Sequence, residues 1–181
     1  NLAGDINADG EVNVMDVVDM VAIILGTITL TEYHIAVGDI YEPNDGALTV
    51  LDLVLLVDMI INTRFAVNDI VTVAELNILE NKVSLETDGT AAGIQLEVEG
   101  SFNIVSDGLP TGWQIYNNES TIIIISTEGT ALENSFLFEY KGELNINSAV
   151  VADWNGNYAE AGIVSEPSNF AMSPVYPNPF N

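Results

Sequence analysis

Asp5-Ile6-Asn7-Ala8-Asp9-Gly10-Glu11-Val12-Asn13-Val14-Met15-Asp16 is a twelve-residue run with oxygen donors at the alternate places a turning chain brings inward. Asp5, Asn7 and Asp9 stand at its first, third and fifth positions. Gly10 permits a sharp turn. Glu11 can offer its carbonyl, Asn13 can act directly or through a water, and Asp16, on the first turn of a following helix, can close the shell. A hard cation such as Ca²⁺ takes roughly six to eight oxygens in flexible geometry, which is what this spacing provides.

The run occurs twice. Gly4-Asp5-Ile6 recurs as Gly38-Asp39-Ile40, Asp9-Gly10 as Asp45-Gly46, and Asn13-Val14-Met15-Asp16 as Thr49-Val50-Leu51-Asp52. The second loop is two residues longer, because Ile40-Tyr41-Glu42-Pro43-Asn44 fills the gap before Asp45. Its candidate ligands are Asp39, Asp45 and Asp52, with either Glu42 or Asn44 supplying a side-chain oxygen; Ala47 and Thr49 take the places of Glu11 and Asn13. Two Ca²⁺ sites are expected, the first binding more tightly because only its spacing is regular.

An apolar run follows each loop. Asn13 and Thr49 are N-caps, and Gly26 and Asn62 suit the left-handed residue that ends a helix, so helices are expected over Val14–Leu25 and Val50–Ile61. Polar residues on the first are Asp16 and Asp19, and on the second Asp52 and Asp58. A helix apolar all round must be covered all round, and two of them cannot do that for each other. The expected partner-binding residues are Val14, Met15, Val17, Val21 and Ile24 on one helix and Val50, Leu51, Leu53, Val57 and Ile60 on the other. Either a partner or the chain's own β-rich part covers them.

Composition narrows the function. The chain has 181 residues, 27 acidic against 3 basic, and a net charge of -24. Phosphate recognition runs on Lys and Arg, so nucleic acid is excluded as a partner, and an anionic membrane surface repels such a chain. With 48% apolar residues it is folded. It has no cysteine, hence no disulfide or thiolate site. The longest uncharged run of the N-terminal part, Met20–Thr31, is too short for a membrane span of about 20 residues.

From about Ile70 the pattern changes to short β-rich runs: Ile70–Leu76, Gly93–Glu99, Phe102–Val105, Trp113–Tyr116, Thr121–Ser126, Phe136–Tyr140 and Leu144–Val151, separated by turn signals such as Asp88-Gly89 and Asn155-Gly156. This predicts a β-sandwich. The expected fold class is α+β, a small helical calcium-loop module over residues 1–66 and an all-β jelly-roll or immunoglobulin-like sandwich over 70–165. A Pro-rich tail over 166–181 holds four of the 6 prolines.

Two loops, each followed by one helix and joined by a short linker, with Asp closing both, resemble a dockerin module. That resemblance implies paired antiparallel helices, two Ca²⁺ ions and a cohesin partner. The enlarged second loop and the lack of basic residues on the helices depart from it. Residues 70–165 resemble a cohesin in the order of their elements, notably Gly93-Ile94-Gln95-Leu96-Glu97-Val98, Phe136-Leu137-Phe138-Glu139-Tyr140 and the closing Ala152-Asp153-Trp154-Asn155-Gly156-Asn157 turn; a plain immunoglobulin-like sandwich is the alternative. Tyr176-Pro177-Asn178-Pro179-Phe180-Asn181 resembles the opening of the C-terminal sorting domain of type IX secretion, which implies an exported bacterial protein.

No catalytic constellation emerges. His34 is the single histidine and lies in the linker between the repeats, and no Gly-x-Ser-x-Gly elbow exists. Glu97 and Glu99 share one face of a strand, about 7 Å apart by strand rise. Trp113, Tyr116 and Trp154 are either a carbohydrate platform or, preferably, core. Asn118-Glu119-Ser120 is a sequon at a turn, where a glycan could attach. The expected function is therefore a non-catalytic secreted assembly protein whose helices dock onto a sandwich. The connection from Asn62 to Ile70 spans about 25–30 Å at ~3.3–3.6 Å per residue. That favours the next subunit's sandwich, giving a head-to-tail extracellular filament. The alternatives are a docking and sorting fragment of a larger secreted enzyme, or a carbohydrate-binding module.

Overall fold

A computed structural model describes residues 1–61 and 70–165. Three helices come first: α1 (Val14–Ile24), α2 (Glu32–Gly38) and α3 (Val50–Ile61). Ten strands follow: β1 (Ala74–Leu79), β2 (Lys82–Thr87), β3 (Gly93–Glu99), β4 (Phe102–Asp107), β5 (Trp113–Asn117), β6 (Thr121–Ser126), β7 (Ser135–Gly142), β8 (Asn145–Ala152), β9 (Tyr158–Glu160) and β10 (Gly162–Ser165). They form two five-stranded sheets, ordered β10-β1-β2-β7-β4 and β5-β6-β3-β8-β9. All neighbours are antiparallel except β1 and β10. The fold class is thus α+β with a two-sheet sandwich. None of the described helices is long and apolar enough to cross a membrane. The tail motif at Tyr176–Asn181 and the Asn62 cap lie outside the described residues.

The helices start where their caps place them. Asn13 accepts from the Met15 N–H at 2.9 Å, with Asp16 reaching back to the Asn13 N–H at 2.8 Å. The short linker between the repeats contains the helix α2. Thr31 caps it, accepting from the His34 N–H at 3.3 Å while the Thr31 N–H donates to His34 Nδ1 at 3.2 Å. His34 therefore serves a helix end. Tyr33, on the same helix, donates its hydroxyl to the Asp5 carbonyl at 2.8 Å and pins α2 across the first loop.

Two cores share one sheet. Between the sheets lie Leu76, Leu85, Ile94, Leu96, Ile122, Ile124, Phe138 and Val151. On the other face of the second sheet, Ala92, Ile123, Ile125, Ala152 and Trp154 pack with Leu53, Val54, Val57, Met20 and Val21 of the helices. Every residue of β6 is buried, Ile122 and Ile124 toward one core and Ile123 and Ile125 toward the other. Such two-sided burial is the pattern of a strand covered on both faces.

Two expectations about docking change here. The helices lie on the chain's own sandwich: α3 packs on β3, β6 and β8. The short connection permits this because the chain re-enters beside the docked face. The Val71 N–H donates to Asp153 Oδ2 at 3.1 Å, on the turn between β8 and β9, next to Ala152 and Trp154. The face that α3 reaches is near, not distant. Accordingly Val17, Val21, Val50, Leu53 and Val57, expected to meet a partner, are covered within the chain, at 3% exposure or less. Leu51, Ile24 and Ile60 are half-buried against the same core, and only Val14 and Met15 of that set remain exposed, at 55% and 54%.

Candidate calcium loops and the helix–sheet interface

The two loops share one hydrogen-bond plan. In the first, the buried Asp16 carboxylate accepts from the N–H groups of Ile6 at 2.7 Å, Asn7 at 3.2 Å and Asn13 at 2.8 Å. In the second, Asp52 accepts from the N–H groups of Ile40 at 3.0 Å, Tyr41 at 3.0 Å and Thr49 at 3.0 Å. Asp5 Oδ2 accepts from the Gly10 N–H at 3.1 Å, and Asp39 Oδ2 from the Gly46 N–H at 2.8 Å. Both glycines sit at positive φ, +91° and +82°, so a Cβ there would strain the turn. Asp9 accepts from the Glu11 N–H at 2.8 Å and Asp45 from the Ala47 N–H at 2.9 Å. The closing aspartate of each loop thus joins the loop's start to the start of its helix.

Among the described residues no group of three or more His, Cys, Asp or Glu side chains is gathered as a metal site. The chemistry of the donors nevertheless fits a hard cation. Every candidate side chain is an oxygen ligand, Asp5, Asp16 and Asp52 are buried carboxylates, and no Lys or Arg precedes Arg64. An ionised carboxylate has about four acceptor sites. Asp5 uses one on each oxygen, for the N–H groups of Asp9 and Gly10, so each keeps another. Asp16 Oδ2 takes a single N–H, that of Asn13. Asp52 is fuller: Oδ1 takes two N–H groups, and Oδ2 takes the Thr49 N–H and, at 3.3 Å, its hydroxyl.

The inserted segment alters the second loop. Asn44 turns its amide to the Asp39 carbonyl at 2.6 Å, and Glu42 is exposed. Burial pushes the Asp52 carboxyl above the usual aspartate range, against the pull of its three backbone N–H bonds, and the charge of Asp39 adds to the rise. Burial, with the charges of Asp5, Asp16 and Asp9, likewise raises the Tyr33 phenol.

The helix–sheet interface has an apolar centre and a polar clamp at each helix end. Gly93 sits under α3, where an added Cβ would lie 2.7 Å from Val50 Cγ2 and 2.8 Å from Val54 Cγ2. The missing side chain lets the helix come down onto the strand. Gln95, two residues on and on the same face, accepts from the Val50 N–H at 3.0 Å, capping the first turn of α3. Its amide donates to Glu97 Oε1 at 2.9 Å, and Glu97 Oε2 accepts from the Thr121 hydroxyl at 3.3 Å. At the other end, Asn118 Nδ2 donates to the Leu25 carbonyl at 2.8 Å, capping α1. The N–H groups of Ser120 and Thr121 donate to Asn118 Oδ1 at 2.7 and 2.6 Å and fix the amide's orientation.

These placements count against a glycan at Asn118 and bear out the preferred reading of Trp113 and Trp154 as core. The nitrogen of Asn118 that a glycan would occupy is committed to the end of α1. Trp113 and Trp154 are 5% and 4% exposed, one in each core, so neither presents a ring for a sugar to stack on. Glu97 is held by its strand neighbours, and Glu99 lies exposed at the end of β3. Gly93, Gln95 and Asn118 were not picked out from the sequence as interface residues. The one available signal was the unbroken Ile122-Ile123-Ile124-Ile125 run, which demands cover on both faces of β6.

No family model matches the chain, and no curated protein does. Among solved structures it is similar to a cohesin module from the family 33 glycoside hydrolase of Clostridium perfringens ATCC13124, with 13% identity and a TM-score of 0.33 over 55% of this chain and 100% of that one.

Proposed function

We propose that the chain is a non-catalytic, secreted bacterial assembly protein in which a dockerin-like, calcium-held helix pair docks onto a cohesin-like sandwich, in cis. The observation that carries this is the fit of α3 over Gly93, with the start of α3 clamped by Gln95 of β3 and the end of α1 by Asn118 of the β5–β6 turn. Such a contact joins modules; it arranges no nucleophile or base. Asp5, Asn7, Asp9, the Glu11 carbonyl, Asn13 and Asp16 would hold the first cation, and Asp39, Asn44 or Glu42, Asp45, the Ala47 carbonyl, Thr49 and Asp52 the second. When bound, the cation neutralises carboxylates that otherwise repel one another. The spare acceptor sites of Asp5 and Asp16 favour the first loop for tighter binding. Growth into a head-to-tail filament uses the same helix–sheet contact between neighbours once it opens in cis.

Titration calorimetry with CaCl₂ and light scattering test this reading. The expected result is two binding events, the tighter lost in Asp9→Ala and the weaker in Asp45→Ala, with a monomer of 19.4 kDa at low concentration. No calcium heat, together with a melting curve unchanged by chelator, would overturn it.

A further inference from the structure

The two loops differ in what they do with one side chain. Asn7 and Tyr41 hold the same place, since Asp5-Ile6-Asn7 recurs as Asp39-Ile40-Tyr41. Both donate their backbone N–H to the closing aspartate, Asn7 to Asp16 Oδ1 at 3.2 Å and Tyr41 to Asp52 Oδ1 at 3.0 Å. Asn7 keeps its side chain within its loop, donating to Asp9 Oδ2 at 3.0 Å. Tyr41 sends its ring onto the sandwich. That ring meets Tyr158 of β9 edge to face, with centroids 6.3 Å apart and planes at 79°. It also covers Gly156 in the β8–β9 turn, where a Cβ would lie 3.6 Å from Tyr41 Cε2 and 3.7 Å from Leu55 Cδ2 of α3.

Both sides of this contact are held from behind. Asp153 fixes the turn, accepting from the N–H groups of Asn155 at 2.8 Å and Asn157 at 3.0 Å, and from that of Val71 at 3.1 Å. Asp52 fixes the loop, joining the N–H of Tyr41 to that of Thr49, whose neighbour Val50 is clamped by Gln95. The second loop therefore meets the sandwich near its start, through Tyr41, and at its end, through Val50, with Asp52 tying the two together. A loop already held at two points loses less conformational freedom when it closes round an ion. By linkage, an ion that fixes the loop favours docking by the same factor. The first loop is braced from α2 instead, by the Tyr33 hydroxyl on the Asp5 carbonyl.

We propose that Tyr41 and Tyr158 couple the second loop to docking: this loop takes up Ca²⁺ more tightly when the helices sit on the sandwich, while the first loop binds alike in either state. The ring occupies a place that holds a ligand in the first loop, and the inserted Glu42 or Asn44 would supply the oxygen given up there. This rests on the calcium and docking reading above and adds that one loop, not both, senses the docked state.

Calorimetry with CaCl₂ on the full-length chain tests it, with Asp9→Ala isolating the second loop and Asp45→Ala the first. Tyr158 is 46% exposed and stands on β9, outside both loops, so Tyr158→Ala removes the contact without altering a calcium ligand. It is expected to weaken binding at the second loop about threefold or more, within what an aromatic edge contact allows, and to leave the first loop's affinity unchanged. Tyr158→Phe keeps the ring and is expected to bind at the second loop as wild type does; a Phe variant as weak as the Ala variant would overturn the ring contact as the cause. If Tyr158→Ala leaves the second loop's affinity unchanged, the coupling is refuted while the docking and calcium reading stands. Equal weakening at both loops also refutes it, because the substitution then acts on the helix pair as a whole. If the chain with Tyr158 intact gives no calcium heat, the calcium reading itself falls and the coupling with it.

Discussion

Two aspartates show how differently a carboxylate can act in this chain. Asp88 is exposed at the end of β2, and its oxygens accept from the N–H groups of Thr72 and Val73, each at 2.9 Å, and from the Thr72 hydroxyl. These bonds, that of the hydroxyl first, draw its carboxyl down to about 2 from the ordinary 3.8. A group depressed on folding contributes its stability above the ordinary value and loses it as the pH falls through the depressed one. Asp88→Asn should therefore melt below wild type at pH 6, and the gap should close as the pH approaches 2. Melting curves across that range decide it, and a gap that stays constant would count against the bonds. Asp16 is buried and ties three backbone N–H groups. Removing it strands those donors, at about 1–3 kcal/mol for each buried unmet group. Asp16→Ala should thus cost roughly 3 kcal/mol or more in urea unfolding. The exposed Asp9→Ala should cost less than about 1 kcal/mol without calcium. The sequence spacing already singled out both loop positions. Asp88 reads in the sequence only as part of the Asp88-Gly89 turn, because its partners lie 15 and 16 residues away, across the β1–β2 hairpin.

At the scale of elements, legibility followed periodicity. The helix at Val50–Ile61 and the strands at Gly93–Glu99 and Thr121–Ser126 run as their patterns require, because capping and apolar runs mark both ends. β2 was missed although Val83 and Leu85 alternate with polar neighbours. Its turn, Glu80-Asn81, takes positive φ at both residues without the glycine that usually announces such a hairpin. β9 and β10 are three and four residues long and largely exposed, too short to show the alternation that marks a strand. Ile70–Leu76 was placed early because Ile70 and Val73 are apolar yet exposed, while β1 begins at Ala74. The role of Gly93 was invisible for a physical reason: a glycine chosen for close approach is defined by what approaches it. Gly93→Val puts methyls where Val50 and Val54 already are, and overpacking of this kind costs about 1–3 kcal/mol. Because the new side chain points away from the core between the sheets, α3 should lift while the sandwich survives. Trp154 emission should shift to the red with the strand signature of the circular dichroism unchanged. A coincident loss of both would mean that the sandwich cannot stand without its helices.

At the scale of the molecule, two cores share the β5-β6-β3-β8-β9 sheet, and they differ in what supports them. The sandwich core is closed by ladders on both sheets. The helix core rests on loops crowded with carboxylates and lacking any Lys or Arg before Arg64. Binding that exists only in the folded state stabilises by mass action, about 2.7 kcal/mol when the ligand stands at 100 times its dissociation constant. Chelation should therefore lower the melting of the helix core alone and split one transition into two. The two tryptophans make the split readable. Trp113→Phe leaves Trp154 to report the helix interface, and Trp154→Phe leaves Trp113 to report the sandwich. In chelator the first variant should show an early transition that excess calcium moves upward. The second should show a late transition that calcium barely moves. The outcome against this division is a single transition, reported alike by both tryptophans and shifted equally by calcium. The helices and sandwich would then be one cooperative unit, and opening in cis, which trans assembly needs, would require unfolding the whole chain.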